Sequence, residues 1–220
     1  MSSPSQSSAP LVIAVDGPAA SGKGTIAKAL ARHFDLPHMD TGLLYRSVAL
    51  SLWRFGGDAG NPFEAVRAAG EIDKIDPDDE ELRSETVGEL ASRVSAYPAV
   101  RKALFERQRA FAAQDGGAVL DGRDIGTVIA PEARAKLFVT ASPDVRAMRR
   151  FKELGARGVE VHYEEVLADI VARDARDADR AAAPLLKAED ADLLDTSDLS
   201  IERAVQRAIA LVEARLQASA

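Results

Sequence analysis

The sequence predicts an α/β fold, a parallel β-sheet covered by helices on both faces. Three observations lead there. Short apolar runs recur along the chain, amphipathic stretches with helical spacing fill the intervals, and the first run passes through a glycine-rich loop straight into the first amphipathic stretch. Parallel strands need crossovers, and helices supply them. At 220 residues, one such domain with room for a small insert is the expectation.

The first predicted strand is Leu11–Asp16. Ala118–Asp121, Lys136–Thr140 and the shorter Asp192–Asp195 follow, and Pro37–Asp40 is a candidate for one more. Helical periodicity is clearest in Lys23–Phe34, Gly42–Phe55, Val100–Ala113, Pro143–Leu154, Tyr163–Arg176 and Ile201–Leu216. Ser142-Pro143 reads as an N-cap followed by proline in the first turn, with Gly155 as the stop. Gly56–Thr86 breaks the pattern with Gly56-Gly57, Gly60-Asn61-Pro62 and the acidic run Asp76–Glu81. It reads as an excursion from the core, the acidic run being a solvated loop and helix start with no role in metal binding.

Bulk properties exclude several classes. A net charge of −7 argues against a nucleic-acid partner. The chain has no cysteine, so neither disulfides nor thiolate chemistry are expected. Met1–Pro10 is rich in Ser and Pro and lacks a basic residue; it reads as a disordered tail before a single domain over 11–220, not a signal peptide. No apolar run approaches membrane-spanning length. The expectation is a cytoplasmic monomer. His33, His38 and His162 lack metal-site spacing and read as surface or packing residues. Trp53, in an apolar helix, reads as core.

The glycine loop carries the chemistry. Gly17-Pro18-Ala19-Ala20-Ser21-Gly22-Lys23-Gly24-Thr25 lies between strand and helix, the context that makes such a motif meaningful. Glycines let backbone N–H groups turn inward around an anion, and the helix start adds unpaired N–H groups and the positive end of its dipole. Lys23 can then reach the β- and γ-phosphates of a nucleoside triphosphate. The Lys23-Gly24-Thr25 ending resembles nucleoside monophosphate kinases more than switch GTPases. Thr25 is a candidate for a direct or water-bridged Mg²⁺ contact.

This acidic chain also groups its arginines. Tyr45-Arg46 follows Asp40-Thr41-Gly42, and Asp121-Gly122-Arg123-Asp124 ends a predicted strand. Arg149, Arg150, Lys152 and Arg157 populate one helix and its exit, and Arg173, Arg176 and Arg180 recur at spacings that can share a helix face. Singly, each would read as a surface salt bridge of little worth. Beside a phosphate loop the set points to phosphoryl transfer, because guanidinium forks match phosphate oxygens. A mobile arginine-rich flap would also exclude water from the donor.

Four segments, Gly17–Thr25, Asp40–Arg46, Asp121–Thr127 and Arg173–Leu185, together resemble the bacterial cytidylate kinase family over about Leu11–Leu216. The resemblance implies a P-loop NTPase-type three-layer α/β/α fold with a five-stranded parallel sheet. It adds an acceptor-binding insert over about 42–112 and an arginine-rich lid over about 149–162. It implies transfer of the γ-phosphoryl of ATP to CMP or dCMP, with Mg²⁺. Lys23, Asp121, Arg123 and Arg180 would form the catalytic set. ATP would lie on Gly17, Pro18, Ala19, Ala20, Ser21, Gly22, Lys23, Gly24 and Thr25, under Arg149, Arg150 and Arg157. Arg46, Arg123 and Arg180 would hold the acceptor phosphate, with Tyr45 beside it. Ser92, Arg101 and Asp124 would read the cytosine, while Arg173 and Asp177 would meet the ribose. Asp121 and Thr25 would organise Mg²⁺, through water where needed.

The base assignment also has a physical basis. Asp124 can accept from the exocyclic amino group of cytosine, and Arg101 can donate to the ring edge. Uracil would turn a carbonyl lone pair toward the carboxylate, a mismatch that hydrogen-bonding sites reject strongly. The family's acceptor lobe commonly holds a β-hairpin. Here Glu71–Thr86 is short, acidic and poor in β-branched residues, so no hairpin is expected. The rival readings are another small phosphate-loop kinase, acting on UMP, AMP or shikimate, and a non-catalytic nucleotide switch. The guanine-reading Asn/Thr-Lys-x-Asp segment of a GTPase is absent from the sequence.

Overall fold

The computed structural model describes residues 10–218, so the predicted tail lies outside the described residues apart from Pro10. Five strands, β1 (Leu11–Asp16), β2 (His38–Asp40), β3 (Gly117–Gly122), β4 (Ala135–Thr140) and β5 (Asp192–Asp195), form one parallel sheet in the order β2-β3-β1-β4-β5. The central strand is apolar because both of its faces are covered. Ile13 and Val15 pack with Ile26 and Leu30 of α1 (Lys23–Phe34) and with Ala208 and Val212 of α8 (Ile201–Ala218). Val12 and Ala14 face the other way, onto Ile125, Ile129 and Ala112.

The register sets the site. Asp40 pairs with Asp121 across β2 and β3, and Asp16 pairs with Gly122 across β1 and β3. Three strands therefore end at one level, at the carboxyl edge where open α/β sheets bind ligands.

The insert is built of helices and 3₁₀ turns joined by short loops. It comprises α2 (Thr41–Arg54), α3 (Pro62–Ala69), 3₁₀ turns at Ile72–Lys74 and Glu80–Arg83, α4 (Glu85–Val94) and α5 (Pro98–Ala112). Asp40, Asn61 and Ser84 cap α2, α3 and α4 with their side chains. These elements share a hydrophobic cluster of their own, including Val48, Leu52, Leu82, Val87, Val94 and Leu104. No β-hairpin occurs among the described residues here. Leu82 is fully buried although it sits on a 3₁₀ turn. Leu82→Ala is expected to cost about 2–5 kcal/mol, read as a lower urea midpoint; a change within error would show that the insert has no cooperative core.

Helices α6 (Pro143–Ala156) and α7 (Tyr163–Ala178) form an antiparallel hairpin packed through Ala147, Leu154, Val166 and Ile170. Three sequence readings need correction. Gly155 does not stop α6, because Gly158 at φ +75° takes the left-handed turn and Val159 N–H returns to Leu154 O at 3.0 Å. Arg180 lies beyond the end of α7, which carries only Arg173 and Arg176. Trp53 is 46% exposed, since the same turn of α2 gives Leu52 to the insert's cluster and leaves Trp53 outside it.

Candidate active site

The loop after β1 is shaped by three left-handed or extended residues. Gly17 (φ +153°), Ala20 (φ +57°) and Gly22 (φ +88°) turn the backbone. A Cβ on Gly17 would lie 2.0 Å from Val139 O, so no side chain fits there. The loop's carbonyls are tied from outside. Arg146 Nη1 donates to Ala19 O at 3.3 Å, and Thr196 Oγ1 donates to Ser21 O at 3.1 Å. Gly22 caps α1 without a side-chain bond, and the first turn holds no acidic residue. The first-turn N–H groups are thus left for an anion.

Half-buried Lys23 donates to Pro18 O at 3.3 Å. Burial, followed by the charge of Arg123, pulls its ammonium down to about 8. Asp121 is buried beside it. Its Oδ1 takes a 2.7 Å bond from His38 Nε2, and its Oδ2 lies 3.8 Å from where a Cβ of Gly24 would sit. His38 therefore contacts a site residue, which its sequence context did not reveal. Asp40 stands on the neighbouring strand. Burial and the adjacent Asp121 raise its carboxyl above the ordinary range. Thr25 is exposed at the start of α1.

A second cleft opens between the sheet edge and the insert. Thr41, Gly42, Tyr45, Arg46, Ser92, Ser95, Arg101, Gly122, Arg123, Asp124, Arg173 and Arg180 line it. Arg46 reaches it from α2, anchored by Nη1 bonds to Leu82 O (2.7 Å) and Ser84 O (3.2 Å). Gly88 makes room, since a Cβ there would come within 2.8 Å of Arg46 Nη2. Arg101 pairs with Asp124, and its guanidinium carbon lies 5.7 Å from the Tyr45 ring centre. Arg123 Nε donates to Asp177 Oδ2 at 2.7 Å, and Arg180 pairs with the other oxygen. Burial alone would raise the Asp177 carboxyl, but Arg123, Arg180 and Arg173 hold it below its ordinary value. Ser92 accepts a long 3.4 Å bond from Arg176 Nε.

The cleft carries excess positive charge, with five guanidiniums (Arg46, Arg101, Arg123, Arg173, Arg180) facing Asp124 and Asp177. Arg173 Nε is buried without a hydrogen-bond partner. Burial and the neighbouring Arg123 pull its guanidinium down to about 9. An anion or a hydroxyl group in the cleft would relieve both conditions. The free space is about 60 Å³, far below the ~300 Å³ or more of small-molecule sites, so these pairs must part to admit a ligand. A groove of about 400 Å³ lies at the other end of α2, lined by Leu52, Phe55 and Ala68. There Arg67 faces Glu64 and Glu71, leaving no surplus positive charge.

The lid arginines divide. Arg149 packs on the loop, donating to Thr196 O at 2.7 Å and to Ser21 O at 3.4 Å. Arg150 pairs with Glu85 of α4 and with Glu153, and Arg157 donates to Arg83 O at 2.9 Å. The α6–α7 hairpin is thus fastened to the insert. The exposed Arg157 contact is individually weak. Buried Arg146 holds Asp174 with 2.5 and 3.0 Å bonds, joining α6, α7 and the loop.

Asp16, the last residue of β1, received no role from the sequence. It is buried and accepts 2.8 Å bonds from the N–H groups of Ile125 and Gly126. Burial raises its carboxyl from 3.8 to about 7, against the lowering effect of those two donors. The folded protein therefore holds a proton between those values that the unfolded chain has lost. This contribution to stability is fully present below pH 3.8 and fades as pH rises to about 7. Its total is on the order of 4 kcal/mol. The stability of wild type minus that of Asp16→Asn is expected to fall steadily across that window in urea titrations. A flat difference would contradict the burial argument.

A triphosphate seated on α1 would place its terminal group near Lys23, which lies within electrostatic reach of Arg123 and Arg173 in the second cleft. Such a juxtaposition of two anion sites moves a phosphoryl group from one bound molecule to another, and the class it defines is the phosphate-loop kinases. The family model for cytidylate kinase matches residues 13–214. Cytidylate kinases from Methylobacterium sp. and Xanthobacter autotrophicus are 60% and 58% identical over 205 residues, covering 93% of this chain and 98% of each relative. The chain belongs to the cytidylate kinase family, and it is a nucleoside monophosphate kinase. Solved structures share the fold at low identity. An uncharacterized protein from Eubacterium ventriosum superposes with a TM-score of 0.55 at 14% identity, covering 92% of this chain and 98% of its own. A Thermus thermophilus protein gives 0.50 at 22%, covering 95% and 99%.

Proposed function

We propose that the chain transfers the γ-phosphoryl group of ATP to CMP or dCMP, giving ADP and CDP or dCDP. The observation that carries the reading is the Arg101–Asp124 pair at the end of a cationic cleft that reaches back to Lys23. Asp124 accepts from the cytosine amino group and Arg101 donates to the ring edge, with Ser92 beside them. Arg173 and Asp177 meet the ribose. Arg46, Arg123 and Arg180 hold the acceptor phosphate, and Tyr45 packs alongside.

Gly17–Thr25 cradles the donor phosphates, and Arg149 braces the loop. On opening, Arg150 and Arg157 exchange their insert contacts for donor phosphates. An oxygen of the acceptor phosphate attacks the γ-phosphorus as the bond to the β–γ bridging oxygen breaks. The attacking acceptor oxygen is already anionic, so no general base is needed. Lys23, Arg123 and Arg180 stabilise the charge spread over the transferring group.

Among the described residues no group of three or more His, Asp or Glu could hold a metal ion unaided. The oxygen donors of Asp121 and Thr25 fit Mg²⁺, which keeps its waters and is carried largely by substrate phosphates. Asp121 and Thr25 would hold its water shell, and when bound it would neutralise charge on the β- and γ-oxygens. The enzyme acts as a cytoplasmic monomer in this reading. Among the described residues no helix is long and apolar enough to cross a membrane.

Phosphorus NMR of a mixture with ATP, Mg²⁺ and CMP tests the reaction. Equal accumulation of ADP and CDP is expected. ADP with free phosphate and no CDP would refute transfer to the nucleotide.

A further inference from the structure

We propose that Asp16 is a positioning residue for acceptor selection: it caps the turn that follows Asp124 and so leaves the Asp124 carboxylate free to face the acceptor cleft. The inference rests on the reading of Asp124 as the residue that meets the base.

Asp124 stands at the N-cap of a π-helical turn, Ile125–Ile129, yet makes no side-chain cap bond. An N-cap aspartate ordinarily accepts from an N–H two or three residues on. Two others in this chain do so. Asp40 accepts from Gly42 N at 2.9 Å, and Asp79 accepts from Glu81 N at 3.0 Å. Asp124 instead gives its carboxylate to Arg101 in the cleft.

The turn's first N–H groups are buried and need acceptors. They find them 109 and 110 residues away, on the two oxygens of Asp16 at 2.8 Å each. The Asp124 carbonyl takes two further ones, from Val128 N at 2.9 Å and Ile129 N at 3.1 Å. Gly126 lies close against this contact, since a Cβ there would sit 3.1 Å from Lys136 Cδ and 3.4 Å from Asp16 Oδ2. Asp16 also directly precedes Gly17, so one carboxylate ties the acceptor-side turn to the start of the phosphate loop. Without Asp16, Asp124 at the N-cap is placed to take the Gly126 N–H on its own side chain. Swinging to cap its own turn would withdraw it from Arg101 and from the ligand.

A double-mutant cycle tests this. The CMP-to-UMP ratio of kcat/KM is measured for wild type, D16A, D124A and D16A/D124A, with KM for ATP and Tm as companions. D16A is expected to lower the ratio about tenfold or more in the wild-type background and to leave it unchanged in the D124A background. D16N, which keeps one acceptor oxygen, is expected to fall between and serves if D16A does not fold. A purely structural role would lower Tm and slow both acceptors equally. A wild-type ratio in folded D16N and D16A would overturn the proposal while leaving the Asp124 reading intact. A wild-type ratio in D124A would overturn that reading, and the proposal with it.

Discussion

Lys23→Met is expected to lower kcat by about 10²–10³-fold, the usual loss when one preorganised donor to a transferring group is removed. Methionine keeps most of the aliphatic stem, so the loop should retain its packing. The fold should not suffer. Burial already pulls the Lys23 ammonium down to about 8, which means the folded site holds this charge at a cost near neutral pH. Its hydrogen bond to Pro18 O, at 3.3 Å, is long. The variant's Tm should therefore equal or exceed the wild-type value while its turnover collapses. Steady-state ADP release and calorimetry read the two quantities separately. A variant with near-native kcat would remove Lys23 from the chemistry, and one that unfolded would make its role structural.

Asp124→Ala is expected to reduce the preference for CMP over UMP by about 10²-fold or more, because sites built on hydrogen bonds reject the wrong pattern through groups left unpaired. Arg101 would lose its partner but keep Tyr45 beneath it. KM for ATP should change little, since Asp124 gives its carboxylate to Arg101 in the acceptor cleft. An unchanged CMP-to-UMP ratio would take base reading away from this residue.

Much of this was legible because the signals were local. The strand Leu11–Asp16, the helix Lys23–Phe34 and the strand Asp192–Asp195 were readable to the residue, each being an uninterrupted pattern with clear punctuation at its ends. The gathering of Arg46, Arg101, Arg123, Asp124, Arg173 and Arg180 on one cleft was legible only through motif order, since they come from separate segments. What stayed hidden depends on distant neighbours. Asp16 looked like the end of a strand, because its partners lie more than a hundred positions away. His38 showed no pairing pattern, yet β2 lies beside β3 and its ring reaches Asp121, two positions past its register partner Val119. Trp53 looked like core because apolar neighbours surround it in sequence, although its turn buries Leu52 in the cluster and leaves Trp53 exposed. The 3₁₀ turns in the insert were invisible because their side chains are charged and solvated, apart from Ile72 and Leu82, which are buried.

The most direct test of the account is ADP release at matched ATP with CMP, dCMP, UMP, AMP and shikimate as acceptors. The cationic cleft ending in Arg101 and Asp124 predicts that CMP and dCMP exceed the other three in kcat/KM by about 10²-fold or more. Equal rates across the panel, or a preference for UMP, AMP or shikimate, would contradict it.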